Sequence, residues 1–106
     1  MAVCSGYDHN YVVGDAGIMK AAAVLESSDG AVKLSIFTEM PCVQLYASNF
    51  LTERKGKDNA VYGYRSAVCL ETQNFPNAVN RPMFPSAVLK AGEKLQSTSK
   101  YLFNII

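Results

Sequence analysis

The chain has 106 residues, of which 49% are apolar and 18% charged, and its formal net charge is +1. This length has room for one domain of ordinary size and not for two. The charge balance argues against nucleic acid or an anionic membrane as a partner of a basic face, and no apolar run approaches the roughly 20 residues of a membrane span. Residues 1–6 lack the basic and apolar segments of a signal peptide, so the expected compartment is the cytoplasm.

The cysteines and the histidine limit the chemistry that the chain can carry. Cys4, Cys42 and Cys69 are an odd number without CxxC spacing, which predicts buried, reduced thiols rather than a disulfide framework or a zinc site. His9 is the only histidine. Any mechanism that needs two histidines from this chain is therefore excluded.

Alternation of apolar and polar residues predicts strands along most of the chain. Residues 18–26 and 31–39 alternate on either side of a Ser-Asp-Gly turn signal at residues 28–30, which predicts a β-hairpin. Residues 43–48 and 67–73 are two further short strands, and alternate residues of the final run from Ser97 to Ile105 share one face. No helix of convincing length is predicted. The fold class is all-β, as part of a sandwich.

Two longer segments are predicted to lie outside the regular structure. Residues 49–64 are polar and charged, which favours a solvated loop. Residues 74–86 contain three prolines and three asparagines, which are too many strand and helix breakers for a regular element. Phe75 and Phe84 in this segment either lie over a ligand or anchor the loop to the core, and anchoring is the favoured interpretation.

Four polar residues are candidates for a site: Asp8, His9, Gln44 and Glu71. Asp8 and His9 are adjacent, so on a strand they point to opposite faces and do not form an acid–base pair. The favoured interpretations are a strand-entry carboxylate bonded to backbone for Asp8 and a packed, hydrogen-bonded imidazole for His9. Gln44 is an amide inside an apolar strand, and its partners are either protein groups or a polar ligand such as a sugar.

Glu71 is a carboxylate within an apolar run, where an unpaired charge is costly. Desolvation there would raise its pKa toward the range of a general base that works near neutral pH. Cys69, Glu71 and Gln73 have the same parity and line one face of the predicted strand. The alternative is that Glu71 is a surface residue on a half-exposed strand.

Four segments of the chain, in this order, resemble the C-terminal part of the aldose 1-epimerases, also called galactose mutarotases. They are residues 6–11 (Gly-Tyr-Asp-His-Asn-Tyr), residues 43–46 (Val-Gln-Leu-Tyr) with 49–51 (Asn-Phe-Leu), residues 69–76 (Cys-Leu-Glu-Thr-Gln-Asn-Phe-Pro), and residues 84–86 (Phe-Pro-Ser) with the Gly-Glu turn at 92–93. The resemblance covers almost the whole chain. It implies that residues 1–106 are a single partial domain, the C-terminal section of an antiparallel β-sandwich of galactose mutarotase-like type.

The resemblance also implies roles for the candidate residues. Glu71 matches the catalytic base, Asp8 matches a residue that holds sugar hydroxyls, and Gln44 matches a further substrate contact. The implied reaction interconverts the α and β anomers of an aldohexose such as galactose or glucose by general acid–base ring opening, without a metal or cofactor.

The sequence departs from the family in one respect. The family's acid is a histidine upstream of every segment matched here, and His9 matches a motif position that is not the acid. The isolated chain is therefore expected to turn over weakly or not at all. The alternatives are a non-catalytic carbohydrate-binding module and an assembly-dependent section whose open strand edges pair with a second copy or a complementary N-terminal fragment.

Overall fold

Strands make up the regular structure of the computed structural model, which describes residues 5–106. The predictions for Cys4 and for the first residues of the chain lie outside this range. The strands are β1 (Asp8–Val12), β2 (Lys20–Glu26), β3 (Val32–Thr38), β4 (Cys42–Tyr46), β5 (Arg54–Lys55), β6 (Val61–Tyr62), β7 (Cys69–Gln73) and β8 (Ser99–Ile105), with 3-10 turns at Lys57–Asn59 and Ala78–Asn80. The all-β class is confirmed. None of the helical turns within residues 5–106 is long and apolar enough to cross a membrane.

The predicted hairpin is confirmed as β2 and β3, which pair antiparallel with a bulge between Ala21 and Ala23. Its turn is held by side chains. The Ser27 hydroxyl donates to the Asp29 carboxylate over 2.5 Å, and the Ala31 N–H donates to the same oxygen over 3.0 Å. Gly30 follows with a φ of +70°, a conformation that glycine adopts without the steric cost of a Cβ atom. The turn residues therefore set the register of the hairpin.

We expect this turn to weaken in acid. The hydrogen bond from Ser27, and next the one from the Ala31 N–H, hold the pKa of Asp29 below its ordinary value of 3.8. Because the folded-state pKa is the lower one, the stabilisation is complete above the unfolded-state pKa and is lost as the pH falls through the folded-state pKa. The chemical shift of the Ala31 amide, followed by NMR below pH 5, should report this loss. An Asp29→Asn variant whose Ala31 shift moved equally would contradict it.

Two three-stranded antiparallel sheets are built from these strands, in the orders β2-β3-β8 and β1-β4-β7. The consecutive strands β3 and β4 belong to different sheets, so the chain crosses between the layers after Thr38. The layers touch through polar side chains: the Ser99 hydroxyl lies 2.9 Å from that of Thr72 in the other sheet, and 2.7 Å from that of its own neighbour Thr38 in the same sheet. The Tyr101 hydroxyl donates to the Leu70 carbonyl over 2.9 Å. This arrangement is a small β-sandwich in which Ser99 and Tyr101 of β8 contact the other sheet, whereas Phe103 and Ile105 on the same face of β8 remain exposed.

The prediction that residues 49–64 form only a solvated loop is wrong in part. The segment is mostly exposed, but it contains the short ladder of β5 and β6, in which Lys55 lies opposite Val61. Strands of two residues have no alternating pattern long enough to detect. Residues 74–86 contain no strand, as predicted. Phe75 and Phe84 are half-buried and stack on each other at a centroid distance of 4.8 Å, so they hold the loop closed.

The buried core is small for a chain of this length. The apolar residues in it are Ile36, Cys42, Val43 and Ala78. Cys42 is thus a buried free thiol, as predicted, whereas Cys69 is a free thiol that is only half-buried. On β8, by contrast, Phe103 is 67% and Ile105 is 91% exposed. Two sheets that leave this much apolar surface uncovered are consistent with a partial section of a larger sandwich.

Candidate functional site

One face of the sheet β1-β4-β7 carries a row of polar side chains. Asn10 of β1 lies opposite Gln44 of β4, and Gln44 lies opposite Glu71 of β7. Residues directly opposite each other in an antiparallel pair point to the same side of the sheet. Asp8 and Gln73 share this face, because each lies two residues from a member of the row. The strand register therefore brings together polar residues from three distant parts of the sequence.

This polar face forms the floor of an open cleft of about 480 Å³. The cleft is lined by Asp8, Gln44, Tyr46, Phe50, Glu71, Gln73 and Pro76. All three residues that the resemblance singles out, Asp8, Gln44 and Glu71, thus line the same cleft. Among residues 5–106, no three acidic, histidine or cysteine side chains converge in the way that a metal site requires.

The amide side chains of the cleft are joined in a hydrogen-bonded network. Gln44 Nε2 donates to Asp8 Oδ1 over 2.8 Å. Gln73 Nε2 donates to Gln44 Oε1 over 3.2 Å and to Asn10 Oδ1 over 2.8 Å. Gln44 therefore has protein partners at both ends of its amide, while Asp8 keeps one carboxylate oxygen, Oδ2, that this network does not use.

The structure corrects the interpretations of Asp8 and His9. The Asp8 carboxylate accepts from the Gln44 side chain, not from backbone as expected, because β4 brings that amide within reach. His9 is exposed rather than packed, since it lies on the edge strand β1. Its Nδ1 accepts from the Asp8 N–H over 3.0 Å, and its ring meets that of Tyr7 edge-on at 6.1 Å. His9 does not line the cleft.

Glu71 lies in the cleft with its side chain exposed. Of the two interpretations of Glu71, the structure agrees with the exposed residue on a half-exposed strand and not with the desolvated carboxylate, because the cleft above the polar face is open. Within the described residues the Glu71 carboxylate forms no hydrogen bond, so both of its oxygens are available to a ligand. Gln44 is its direct neighbour across the sheet. The Cβ atoms of two residues in such a pair are about 5 Å apart, so the Gln44 amide lies beside the Glu71 carboxylate.

Aromatic side chains line the side of the cleft next to β4. The rings of Tyr46 and Phe50 are nearly parallel, at 19° and a centroid distance of 6.5 Å, and the Phe50 N–H donates to the Tyr46 hydroxyl over 3.1 Å. Phe50 is 66% exposed. Reasoning from the sequence did not single out either ring as a site residue, nor Asn10, although Asn10 has the same strand parity as Asp8.

Asn49 ties the loop after β4 to the start of β1. It is buried, and its Nδ2 donates to the Tyr7 carbonyl over 2.7 Å. Gly6 packs so closely against this amide that a Cβ atom there would collide with Asn49 Oδ1, and its φ is +151°. A glycine at this position therefore lets β1 enter the sheet beside the loop that carries Phe50, which fixes Asp8 at the cleft.

The fold and the cleft define the chain as a section of an antiparallel β-sandwich whose open polar face combines carboxylates and amides. The profile of the family described as "Aldose 1-epimerase" matches residues 2–102. The chain belongs to the aldose 1-epimerase family, which confirms the resemblance drawn from the four segments.

Individual relatives agree with this assignment. Galactose mutarotase of Mus musculus is 40% identical over 101 residues, which cover 94% of this chain and 30% of the relative. The Homo sapiens protein of the same name is 42% identical over 103 residues, which cover 95% of this chain and 30% of that relative. Aldose 1-epimerase of Escherichia coli (strain K12) is 31% identical over 101 residues, which cover 92% of this chain and 29% of that relative. The chain thus spans about 30% of the length of these relatives, in keeping with the expected partial section.

Proposed function

We propose that the chain carries the base and the sugar contacts of an aldose 1-epimerase site, with Glu71 as the base and Asp8 and Gln44 as substrate contacts. The substrate would be an aldohexose such as galactose or glucose. One observation carries the proposal: in a chain of this family, the three side chains come from three strands and line a single open cleft.

The reaction requires the protein to transfer protons and to orient the sugar. The base removes the proton of the anomeric hydroxyl while an acid protonates the ring oxygen, and the bond between the anomeric carbon and the ring oxygen breaks. The resulting aldehyde rotates about its bond to the next carbon, and the ring closes on its other face. The Glu71 carboxylate, exposed and without a hydrogen-bond partner among residues 5–106, suits the role of base.

Asp8 and Gln44 would hold the sugar ring while the anomeric centre reacts. Asp8 Oδ2 accepts from a sugar hydroxyl, since Oδ1 is already engaged by Gln44. Gln44 Nε2 has a second hydrogen that can donate to a neighbouring hydroxyl. Fixing the ring in this way contributes to rate by orientation, because the anomeric hydroxyl is then held near Glu71.

The proton donor is the one role for which the described lining of the cleft offers no assigned residue. No histidine is found among the described residues that line the cleft, and the resemblance places the family's acid upstream of the matched segments. This observation favours a second candidate function, a carbohydrate-binding module that retains Asp8 and Gln44 but does not catalyse. Both candidates require that the cleft bind a monosaccharide, and they differ in whether the rate of anomer exchange rises.

We expect galactose to bind saturably to the chain and an Asp8→Ala variant to bind it about 10- to 100-fold more weakly, because a hydrogen bond to a charged group is lost and Gln44 loses its acceptor. NMR titration of backbone and side-chain amides measures this affinity. Asp15→Ala, which removes an exposed carboxylate outside the cleft, is the matched control and should bind normally. No spectral change at tens of millimolar sugar would rule out both candidates.

The uncovered surface of β8 favours a further arrangement, in which the chain works only within an assembly. Phe103 and Ile105 face no other sheet, and the outer edge of β8 is unpaired among the described strands. Open apolar strand edges pair with other chains. A second copy or a complementary N-terminal fragment would cover this edge. Light scattering at rising concentration should then give a mass above 11.5 kDa, whereas a monomer with cooperative unfolding would contradict the arrangement.

A further inference from the structure

The strand register places an aromatic ring between the two carboxylates of the cleft. Asp8 lies directly opposite Tyr46 of β4. Glu71 lies opposite Gln44, which is two residues from Tyr46 and on the same face of β4. Two strand spacings and two residues therefore separate the carboxylates, which is about 12 Å between their backbones. A ligand that reaches from Asp8 to Glu71 has to cross β4 beside Tyr46.

Phe50 extends this aromatic surface. Its ring lies within 19° of parallel to that of Tyr46, and both rings line the cleft, next to Pro76. The cleft thus has two kinds of surface: a floor of carboxylates and amides, and a wall of aromatic rings. The floor suits the hydroxyl groups of a ligand. The electron-rich face of an aromatic ring attracts C–H groups instead.

The backbone that carries Phe50 is anchored, although the ring is 66% exposed. The Phe50 N–H donates to the Tyr46 hydroxyl over 3.1 Å. Ser48 is buried, and its hydroxyl accepts from the Ala67 N–H over 2.9 Å and donates to the Ala67 carbonyl over 2.6 Å. Asn49, between them, is buried as well. A ring on an anchored backbone gives up less conformational freedom on binding than a ring on a free loop.

We propose that Phe50, beside Tyr46, is a substrate-binding residue whose ring packs against the C–H face of the pyranose while the carboxylates contact its hydroxyls. This inference rests on the proposed function of the cleft. It also describes the class of ligand: a ring with hydroxyls around its rim and C–H bonds on one face. Galactose has this form, because three neighbouring ring hydrogens project to the same side of the sugar.

Phe50 and Phe103 are a matched pair for testing this role. They are 66% and 67% exposed, and Phe103 lies on β8, outside the cleft. Replacement by leucine removes the ring at either position and keeps an apolar side chain. The hydrogen bond at Phe50 uses the backbone N–H and survives the change. We expect Phe50→Leu to bind galactose about 3- to 10-fold more weakly, and Phe103→Leu to bind it within about twofold of the unmodified chain.

The proton resonances of galactose separate a contact with the ring from a loss of apolar surface. Protons that lie over the face of an aromatic ring shift upfield, because the ring current shields them. C–H protons of galactose should therefore move upfield as the unmodified chain binds it. Compared at equal saturation with sugar, this shift should be smaller in Phe50→Leu and should be kept in Phe50→Tyr and in Phe103→Leu. Nuclear Overhauser contacts should join the same sugar protons to the Phe50 ring.

Three results would overturn the inference and leave the proposed base and hydroxyl contacts standing. They are binding of galactose without an upfield shift, an equal shift in Phe50→Leu and the unmodified chain at equal saturation, and equal affinity losses in Phe50→Leu and Phe103→Leu. If Phe50→Leu does not fold, the Overhauser contacts of the unmodified chain decide, and their absence in the bound state rejects the inference. A chain that binds no galactose at tens of millimolar sugar would reject the proposed function and the inference together.

Discussion

Replacing Glu71 by Gln should return the rate of galactose anomer exchange in the presence of the chain to the spontaneous rate. A glutamine side chain has the shape of glutamate but cannot take up the proton of the anomeric hydroxyl. Loss of a general base typically costs about 10²–10⁴-fold in rate. Optical rotation of freshly dissolved α-D-galactose, followed with and without protein, measures the exchange directly.

The described residues that line the cleft include no histidine to act as the acid, which limits how much of this effect the isolated chain displays. A missing general acid lowers the reaction rate by about the same factor as a missing base. The unmodified chain is therefore expected to catalyse anomer exchange slowly. Added imidazole, a small molecule that can donate the proton to the ring oxygen, should raise the protein-dependent rate of the unmodified chain and not that of Glu71→Gln. Glu93→Gln, which alters an exposed glutamate outside the cleft, should behave as the unmodified chain. Equal rates for Glu71→Gln and the unmodified chain would remove Glu71 from the mechanism.

Ile36→Ala should lower the free energy of unfolding by about 2–5 kcal/mol, the usual cost of emptying a buried isoleucine site. Ile36 is 0% exposed and lies in the central strand of its sheet, between Ala23 of β2 and Tyr101 of β8. Domains of this size are stable by about 5–15 kcal/mol, and the small core suggests the lower end of that range. Equilibrium unfolding in urea, followed by circular dichroism, measures the change.

Ile105→Ala is the matched control, because it removes the same atoms from a strand of the same sheet. Ile105 is 91% exposed, so in the monomeric chain its replacement should change the free energy of unfolding by no more than about 0.5 kcal/mol. Both variants replace a β-branched residue of a strand by alanine, and the difference between them therefore isolates burial from strand propensity. Similar losses at the two positions would show that β8 is covered in solution.

Local patterns were sufficient to predict β2, β3, β4, β7 and β8 and one face of the site. The alternation on either side of Asp29 and Gly30 predicted the hairpin, and the parity of residues 99–105 predicted which residues of β8 share a face. The shared face of Glu71 and Gln73 also follows from strand parity alone. The roles given to Asp8, Gln44 and Glu71 came from the resemblance, since no spacing rule separates a catalytic carboxylate from a surface one.

The remaining features depend on contacts between distant residues. Gln73 and Asn10 are 63 positions apart, and a register shift of one residue would turn either of them to the opposite face. The bond between Asp8 and Gln44 depends in the same way on the pairing of distant strands. The exposure of Glu71 could not be predicted either, because an apolar run does not reveal which of its faces a second sheet will cover. The ladder of β5 and β6 escaped prediction for another reason: its strands of two residues are too short for any period.

The number of residues between paired strands in the sequence also affects how quickly the chain can fold. The β2–β3 hairpin needs only its own turn, and hairpins form in about 1–10 μs. The bond between Thr38 and Ser99, by contrast, joins residues 61 positions apart, and its entropy of loop closure must be overcome before β8 gains any contact. Folds dominated by such non-local pairings complete in about milliseconds to seconds. The closure of β8 onto β3, and not the formation of the hairpin, is therefore expected to limit the folding rate.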